Sequence, residues 1–404
     1  MGVLVSLRNE VTALWAGGTG KALLAVALGW GLLNGTRMIY PVLLPYFREE
    51  FSLSYTAAGF LVTFIWMCYA IGQAPGGLIA DRFGERTILT ASVVIAVGSL
   101  AVVIAAPSAL VLFVGTGLVG LGLSQYPIAR ITVLANLYPD RVGRVIGITM
   151  ASGDIGQTLL PPIASVLAVG LAWQVGLGWV IPLLCLVAVV LWVSIPSKAT
   201  TDDADDGETA GFRETFVALR RRSYLSMSVV LFLFIFIWQT FSAFYPTYLT
   251  VEKGYSPTVA GVLFGLFFAL GVVIKPIAGM AYDSIGAKRS LPVILGSAMI
   301  GLLILPFADT TVAILTATLF ISTMLGSGAI TQSHLAETIP PDMQGTGLGM
   351  IRSSATMAGA TGPVVFGVIV DRGFFDEGYL VLALLAGVVT LLTLVMPYES
   401  RSST

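Results

Sequence analysis

Long runs of apolar residues, separated by short polar stretches, extend along almost the whole chain. A helix needs about 20 mostly apolar residues to cross the hydrocarbon core of a membrane, and each run is of about that length. Glycine and proline punctuate many runs, which membrane helices tolerate better than soluble helices do. The pattern predicts twelve membrane-spanning helices, at residues 22–47, 56–80, 87–106, 109–137, 144–169, 173–195, 224–249, 257–282, 289–307, 311–336, 345–370 and 378–397.

One long polar stretch divides these runs into two groups of six. It reads PSKATTDDADDGETAGFRETFVALRRRSY, from residue 196 to residue 224. Its acidic first part predicts a flexible linker, and its basic second part predicts a short amphipathic helix. We therefore expect an N-terminal six-helix bundle in residues 1–195, a cytoplasmic linker in residues 196–223 and a C-terminal six-helix bundle in residues 224–404.

Composition and charge agree with a chain that lies in lipid. The 404 residues are 56% hydrophobic and 11% charged, with a mean hydropathy of +0.91, whereas soluble domains carry about 25% charged residues. If both termini are cytoplasmic, fourteen Lys and Arg residues lie in cytoplasmic segments and three lie on the opposite side, as the positive-inside rule requires. We expect an all-α integral membrane protein with cytoplasmic termini, multi-pass in a cell (inner) membrane.

Few residues are suited to metal binding or catalysis. Cys68 and Cys185 lie inside apolar runs and match no metal or disulfide spacing, and His334 is the single histidine. The chain has no Ser/His/Asp set and no phosphate loop, so we expect no enzyme activity, no metal and no cofactor. A net charge of −1 gives no reason to expect nucleic acid. The expected partners are the lipid bilayer and a small solute, and the expected state is a monomer.

The two halves repeat each other with a constant offset of 202 residues. GLIADRFGER, which begins at Gly77, corresponds to GMAYDSIGAK, which begins at Gly279. The same offset pairs Pro139 with Pro341 and other widely separated residues. Parallel repeats of this kind place a central site where the two halves meet.

The GLIADRFGER segment resembles the signature of the major facilitator superfamily, G-x-L-x-D-R-x-G-R-K, between the second and third helices. It departs from that signature at Ile79 and Glu85. The resemblance extends over essentially the whole chain and implies two bundles that rock about a site near the bilayer midplane. Its loop glycines permit close packing, and its charges can latch the halves together on the cytoplasmic side. The expected gating residues are Gly77, Asp81, Arg82, Gly84, Arg86, Gly279 and Asp283.

Ionisable side chains inside the predicted helices indicate what the site binds. Such groups cost at least a few kcal/mol at mid-bilayer and normally face the bundle interior. The four cations are Arg37, Arg130, Lys275 and Arg352, and the one well-buried carboxylate is Asp154. Asp154 either forms an ion pair with Arg130 or carries a proton, because apolar surroundings favour the neutral acid. The other three cations lack an acidic partner at their depth, so we expect an anionic solute to bind them and neutralise their charge.

Polar neighbours of these cations extend the predicted site. Asn34 and Tyr40 share a helical face with Arg37, Tyr126 precedes Arg130 by one turn, and Gln239 is 202 residues after Arg37. The predicted substrate-binding residues are Arg37, Lys275, Arg352, Tyr40, Tyr126, Gln239 and Asn34. Within the superfamily, Lys275 is similar to an arginine of oxalate–formate and monocarboxylate carriers, and Arg352 to a further basic residue of the oxalate carriers. Arg37 is similar to an arginine of sugar-acid and organic anion:cation symporters.

The sequence therefore predicts a secondary active transporter of a small organic anion, a carboxylate, that works by rocker-switch alternating access. Transport would be coupled to protons or would proceed by exchange. Two alternatives stay open: a transporter of a neutral solute such as a sugar or a drug, and a non-transporting membrane receptor on the same fold. The anion hypothesis accounts for the excess of buried cations, which the alternatives leave unexplained.

Overall fold

A computed structural model describes residues 19–73, 83–196, 222–339 and 344–396. These residues are almost entirely helical, as the apolar pattern predicts, and the all-α class is confirmed. The helices are Gly20–Glu50, Tyr55–Gln73, Glu85–Ile104, Ala109–Ser124, Tyr126–Leu137, Val142–Gly170, Trp173–Gly178, Val180–Ser194, Arg222–Val251, Pro257–Ile285, Ala287–Ile304, Thr311–Ser322, Ser327–Thr338, Gln344–Gly359, Gly362–Val370 and Phe375–Val395, with 3₁₀ turns at Pro139–Arg141, Leu305–Phe307 and Thr323–Gly326.

Within the described residues, eleven helical stretches are long and apolar enough to cross a membrane. The Val142–Gly170 helix is not among the eleven, although its 29 residues extend for about 43 Å. Asp154, Gln157 and two consecutive prolines lower the apolar character of its middle. This helix corresponds to the predicted span 144–169, so its polar residues, and not its length, set it apart from the others.

The outward-facing surfaces of the helices are apolar. Leu110, Val193 and Val395 are each more than 70% exposed, and each lies on a helix that is apolar enough to span a membrane. Only lipid is a suitable surrounding for so much exposed apolar surface on helices of this length. The structure is thus that of a multi-pass membrane protein.

Aromatic side chains fill the interior of each half of the chain, where the first half precedes the 196–223 linker and the second half follows it. In the first half the rings of Phe47 and Trp173 meet edge to face at 5.0 Å. In the second half Phe241 stacks on Tyr245 at 4.6 Å, and Tyr248 packs against Tyr379 at 4.5 Å. These clusters hold each half together independently of the contacts between the halves.

The two halves also contact each other, most closely at one end of the helices. We call this the predicted outer end, because the positive-inside rule places it opposite the cytoplasm; it carries the connections at residues 51–54, 105–108, 171–172, 252–256, 308–310 and 371–374. A Cβ atom added to Gly59 would lie 2.2 Å from the backbone oxygen of Pro363. Ser165 donates a hydrogen bond to the backbone oxygen of Pro257 at 2.6 Å. Backbones at this end therefore touch across the interface, which we call the seam.

A carboxylate from the second half also caps a helix of the first half at the predicted outer end. Asp371 accepts hydrogen bonds from the backbone amides of Tyr55 and Thr56 at 2.7 and 2.9 Å, and from the Thr56 hydroxyl at 2.6 Å. These amides begin the Tyr55–Gln73 helix and would otherwise lack acceptors. The polar groups of the seam are thus well satisfied at this end.

Candidate functional site in the seam between the halves

Arg37 lies at mid-depth in the seam, thirteen residues before the end of the Gly20–Glu50 helix, or about 20 Å along its axis. Its side chain is only 7% exposed. The guanidinium Nη2 donates a hydrogen bond to Asn34 Oδ1 at 2.9 Å, and Asn34 donates in turn to the backbone oxygen of Trp30 at 2.9 Å. The Nε atom of Arg37 is buried and has no hydrogen-bond partner.

Two aromatic rings from the next helix flank the Arg37 guanidinium. Its Cζ atom lies 3.8 Å from the centre of the Trp66 ring and 4.7 Å from that of Tyr69, distances at which a cation and a ring attract each other. Trp66 also meets Trp238 of the second half edge to face, with ring centres 5.3 Å apart. The Trp66–Trp238 contact crosses the seam, so Arg37 lies directly beside the boundary between the halves.

Among the residues that the structure describes, the carboxylate of Asp154 forms an ion pair with Lys275. Lys275 Nζ lies 2.5 Å from Asp154 Oδ1, and both side chains are partly buried. Lys275 belongs to the second half and Asp154 to the first, so this ion pair also crosses the seam. The prediction that Lys275 lacks an acidic partner is therefore wrong.

Arg130 has other partners than the predicted one. It donates a hydrogen bond to the Thr149 hydroxyl at 3.0 Å, and its Cζ atom lies 4.0 Å from the centre of the Trp30 ring. The predicted ion pair between Arg130 and Asp154 is therefore wrong. Asp154 follows Thr149 by five residues, which turns it about 140° around the helix, so Asp154 faces the second half while Thr149 faces Arg130.

Arg352, on the Gln344–Gly359 helix, is exposed and lies near enough to Arg130 for their charges to repel each other. Among the described residues, no carboxylate lies within salt-bridge distance of Arg37, Arg130 or Arg352. Three of the four predicted cations thus have no acidic partner among the described residues, but Arg130 takes the place predicted for Lys275.

The structure does not bring Tyr40 and Tyr126 to the seam. Both side chains are fully buried inside the first half. The Tyr126 hydroxyl donates to the backbone oxygen of Val26 at 3.0 Å, and the Tyr40 hydroxyl accepts from Thr116 at 3.5 Å. Because both hydroxyls are already bonded within the first half, these tyrosines have a structural role here.

Gln239 follows Trp238 directly, so it lies at the same level of the Arg222–Val251 helix but about 100° around it from the ring that meets Trp66; its place in the site stays a prediction. It is 1% exposed, and neither its Nε2 nor its Oε1 atom has a hydrogen-bond partner. The residues that sequence reasoning missed are the aromatic ones, Trp66, Tyr69 and Trp238. A tryptophan in an apolar run gives no signal that separates a binding role from simple packing.

The predicted gating loop lies partly outside the described residues, which exclude Gly77, Asp81 and Arg82. Gly84 and its repeat partner Gly286 both have a positive φ, +76° and +74°, and each precedes a helix. Arg86 packs on the Trp192 ring within the first half at 4.1 Å. Gly279 is half-buried with open space beside it, and Asp283 is exposed. The latch itself stays a prediction.

Known proteins of similar sequence are transporters, among them two that are named for acids. A hexuronate transporter of Bacillus subtilis is 25% identical over 83% of this chain and 84% of its own length. A probable sulfoacetate transporter of Cupriavidus necator is 26% identical over 89% of each chain. Among solved structures, a bacterial homolog of the human lysosomal transporter Spinster, inward-facing and unoccupied, superposes with a TM-score of 0.79 at 16% identity, over 94% of this chain and 97% of that one.

The sequence profile of the Major Facilitator Superfamily matches residues 26–334. This stretch includes Arg37, both partners of the Lys275–Asp154 ion pair and both tryptophans that meet across the seam. Since the profile covers well over half of the chain, the protein belongs to the major facilitator superfamily of transporters.

Proposed function

We propose that the protein is a secondary active transporter of a small organic anion with a carboxylate group, and that this group binds Arg37. The observation that carries the proposal is the Arg37 guanidinium, buried at mid-depth beside the seam with no acid in reach among the described residues. Burying an uncompensated charge is costly. A carboxylate from the substrate would neutralise it with two parallel hydrogen bonds, a geometry that guanidinium groups favour.

Arg130 and Arg352 would add positive potential on the path to this site. They come from opposite halves of the chain, and their mutual repulsion would be relieved by an anion between them. The names of the relatives agree with an acidic solute, because hexuronate is a carboxylate and sulfoacetate carries a carboxylate and a sulfonate. A neutral solute would leave the positive charges of these arginines uncompensated.

For the architecture we propose twelve spans in two six-helix bundles with both termini cytoplasmic. The Val142–Gly170 helix would be the twelfth span, since it is long enough to cross and contributes Asp154 to the seam. In a rocker-switch cycle the contacts at the predicted outer end would hold that side closed, as they do here. They would separate when the site opens outward.

For coupling we propose that Asp154 alternates between two partners: it pairs with Lys275 in one state of the carrier and binds a proton in the other. In this structure the pair bridges the halves. A movement that separates the halves at this depth would remove Lys275 and leave a carboxylate among apolar helices, where binding a proton removes the cost of a buried charge. The released Lys275 could then attract the incoming anion.

Uptake into proteoliposomes tests the proposed substrate class. Glucuronate and glucose are a matched pair, because they differ only in the oxidation of one terminal carbon. We expect the purified protein to take up labelled glucuronate and not glucose, and to do so faster when the outside is acidic. Uptake of glucose at an equal rate would favour the neutral-solute alternative, and binding without any flux would favour a receptor.

A further inference from the structure

We propose that the substrate carries hydroxyl groups in addition to its carboxylate, so that the natural solute is a hydroxy acid and not a simple alkyl or aromatic acid. This inference rests on the proposed function, since it concerns the part of the substrate that lies beyond the Arg37 contact. It is carried by buried polar atoms in the seam that have no partner.

Gln239 is the strongest of these groups. Its amide is 1% exposed, and both its donor and its acceptor are unpaired. A buried amide with neither atom bonded costs more than a buried apolar side chain of the same size. Such a group persists in a native structure when something absent from the structure bonds to it, such as water or a ligand.

Other unpaired groups lie on the two helices that form the Trp66–Trp238 contact, within about one turn of either tryptophan. The indole Nε1 of Trp238 is buried without a partner, and so are the hydroxyls of Thr63 and Ser242. Thr63 precedes Trp66 by three residues and Ser242 follows Trp238 by four, so each shares a helical face with its tryptophan. Together with Arg37 Nε, these unpaired atoms come from three helices and both halves, and these helices are joined by the Arg37–Trp66 and Trp66–Trp238 contacts.

Neighbouring hydroxyls in these helices show the usual arrangement, although Thr247 of the Arg222–Val251 helix is also unpaired. Thr240, next to Gln239, bonds to the backbone oxygen of Phe236 at 2.6 Å, and Thr36, next to Arg37, bonds to that of Leu32 at 2.7 Å. A threonine or serine in an apolar helix normally satisfies itself in this way. Thr63 and Ser242 do not, so their hydroxyls are free to bond to another molecule.

The unpaired amide and hydroxyl groups indicate which kind of ligand they would bind. Amide and hydroxyl groups both donate and accept, as the hydroxyls of a sugar acid do. An alkyl chain would leave all of them unpaired, and sites built to bond a hydroxyl strongly reject analogues that lack it. These atoms are covered in the present conformation, so a substrate would reach them when the halves separate at this depth.

Binding of matched acids to the purified wild-type protein tests the inference. Galactarate and adipate are six-carbon diacids that differ only in hydroxyl groups, and glucuronate and cyclohexanecarboxylate are monoacids with a six-membered ring. We expect the hydroxylated member of at least one pair to bind at least about 10-fold more tightly by isothermal titration calorimetry. Equal affinity within both pairs would overturn the hydroxyl inference and leave the carboxylate site standing. If none of the four acids bound, the proposed function itself would fail.

A variant separates the hydroxyl contact from the charge contact. Gln239→Leu should reduce the preference for hydroxylated acids at least several-fold. It should also raise the melting temperature of the substrate-free protein, because it removes an unpaired amide. Gln174→Leu, the same change at a half-exposed site of the predicted outer end, is the control. Should Gln239→Leu not fold, Ser242→Ala serves the same comparison, and an unchanged preference in the variant that folds would contradict the inference.

Discussion

The seam differs in character between the predicted outer end and its middle. At the outer end Asp371 accepts three hydrogen bonds from the first half, and Ser165 bonds across to Pro257. In the middle, Arg37 lacks an acid, and the Gln239 amide lacks any partner. Both regions join the same two halves of the chain.

The difference separates two uses of an interface. Where polar groups bond across the interface, as Asp371 and Ser165 do, closing it requires no further molecule. Where buried donors, acceptors and a cation stay unpaired, closure is costly until a solute supplies their partners. This contrast supports the proposal that the predicted outer end is a gate and that the middle of the seam is the binding site. Each of the following changes tests one side of this distinction.

The largest effect is expected from Arg37→Gln, which removes the charge at the centre of the seam. We expect carboxylate affinity to fall about 100-fold, equivalent to about 3 kcal/mol, because a charge-assisted bidentate contact is lost. Titration calorimetry with purified protein measures the change.

Arg289→Gln is the matched control for this prediction, since Arg289 is exposed near the start of the Ala287–Ile304 helix. It should bind the acid as the wild type does. Equal losses in both variants would mean that overall charge, and not the Arg37 contact, attracts the anion. Unchanged binding in Arg37→Gln would place the site elsewhere.

A smaller effect, on coupling and not on binding, is expected from Asp154→Asn. The amide can still accept a hydrogen bond from Lys275 but cannot exchange a proton. We expect accumulation driven by a pH gradient to fall about 10-fold, while exchange of labelled for unlabelled acid continues at a similar rate. Proteoliposome uptake and counterflow measure the two activities separately.

Asp140→Asn is the control for the coupling variant, because Asp140 is exposed in a turn away from the seam. Proton-driven accumulation that survives in Asp154→Asn would show that the Lys275 pair is purely structural. Loss of counterflow as well would show that the pair is needed for the movement itself.

Much of the fold follows from the sequence, and much of the site does not. The apolar runs placed the first helix at 22–47 and the fifth at 144–169, and the structure has Gly20–Glu50 and Val142–Gly170. This agreement reflects a physical requirement, since the length of an apolar helix is set by the thickness of the bilayer. The polar fifth helix could be placed only because its neighbours were clear.

The charged residues of the candidate site could be picked out from the sequence, but their ion pairing could not. A charge inside an apolar run is visible in the sequence, which is how Arg37, Lys275 and Asp154 were identified. Which cation meets Asp154 depends on the rotation of each helix and on which helix of the other half it faces. Neighbours in the chain, such as Arg130, were favoured wrongly for that reason. Trp66 and Trp238 could not be identified, because their rings look like ordinary core residues.

Gly59→Ala tests whether close backbone packing keeps the predicted outer end closed. The added Cβ would lie 2.2 Å from the backbone oxygen of Pro363, so the two helices would have to move apart at the predicted outer end. We expect the closed form to lose most of its population there. Spin labels at Ser108→Cys and Glu252→Cys, on outer loops of opposite halves, would report a longer distance once Cys68 and Cys185 are replaced by serine.

Gly98→Ala is the control for this packing change, since a Cβ at Gly98 meets no atom within 4 Å. The label distance should stay as in the wild type. An unchanged distance in Gly59→Ala would mean that the helices adjust without opening, and that close backbone contact does not hold the gate.

The smallest effect is expected from Asp371→Asn, which keeps the shape of the cap and removes its charge. The neutral amide oxygen accepts more weakly from the helix amides, and the favourable contact with the positive helix end is lost. We expect the closed form to lose about 1 kcal/mol relative to the open form, seen as a rise in the long-distance fraction. Asp309→Asn, an exposed carboxylate on an outer connection, should have no effect.

Lowering the pH should weaken the same contact, between Asp371 and the start of the Tyr55–Gln73 helix. Partial burial works to raise the pKa of Asp371, but hydrogen bonds from the Thr56 hydroxyl and from the Thr56 and Tyr55 amides outweigh it and hold that pKa below its usual value. The open form, which lacks these bonds, would return to about 3.9. Ionised Asp371 therefore stabilises the closed form fully above that value, and the stabilisation is lost as the pH falls through the lowered pKa. The wild-type label distance should lengthen below about pH 4 and that of Asp371→Asn should respond less, whereas an equal response would assign the acid effect to another group.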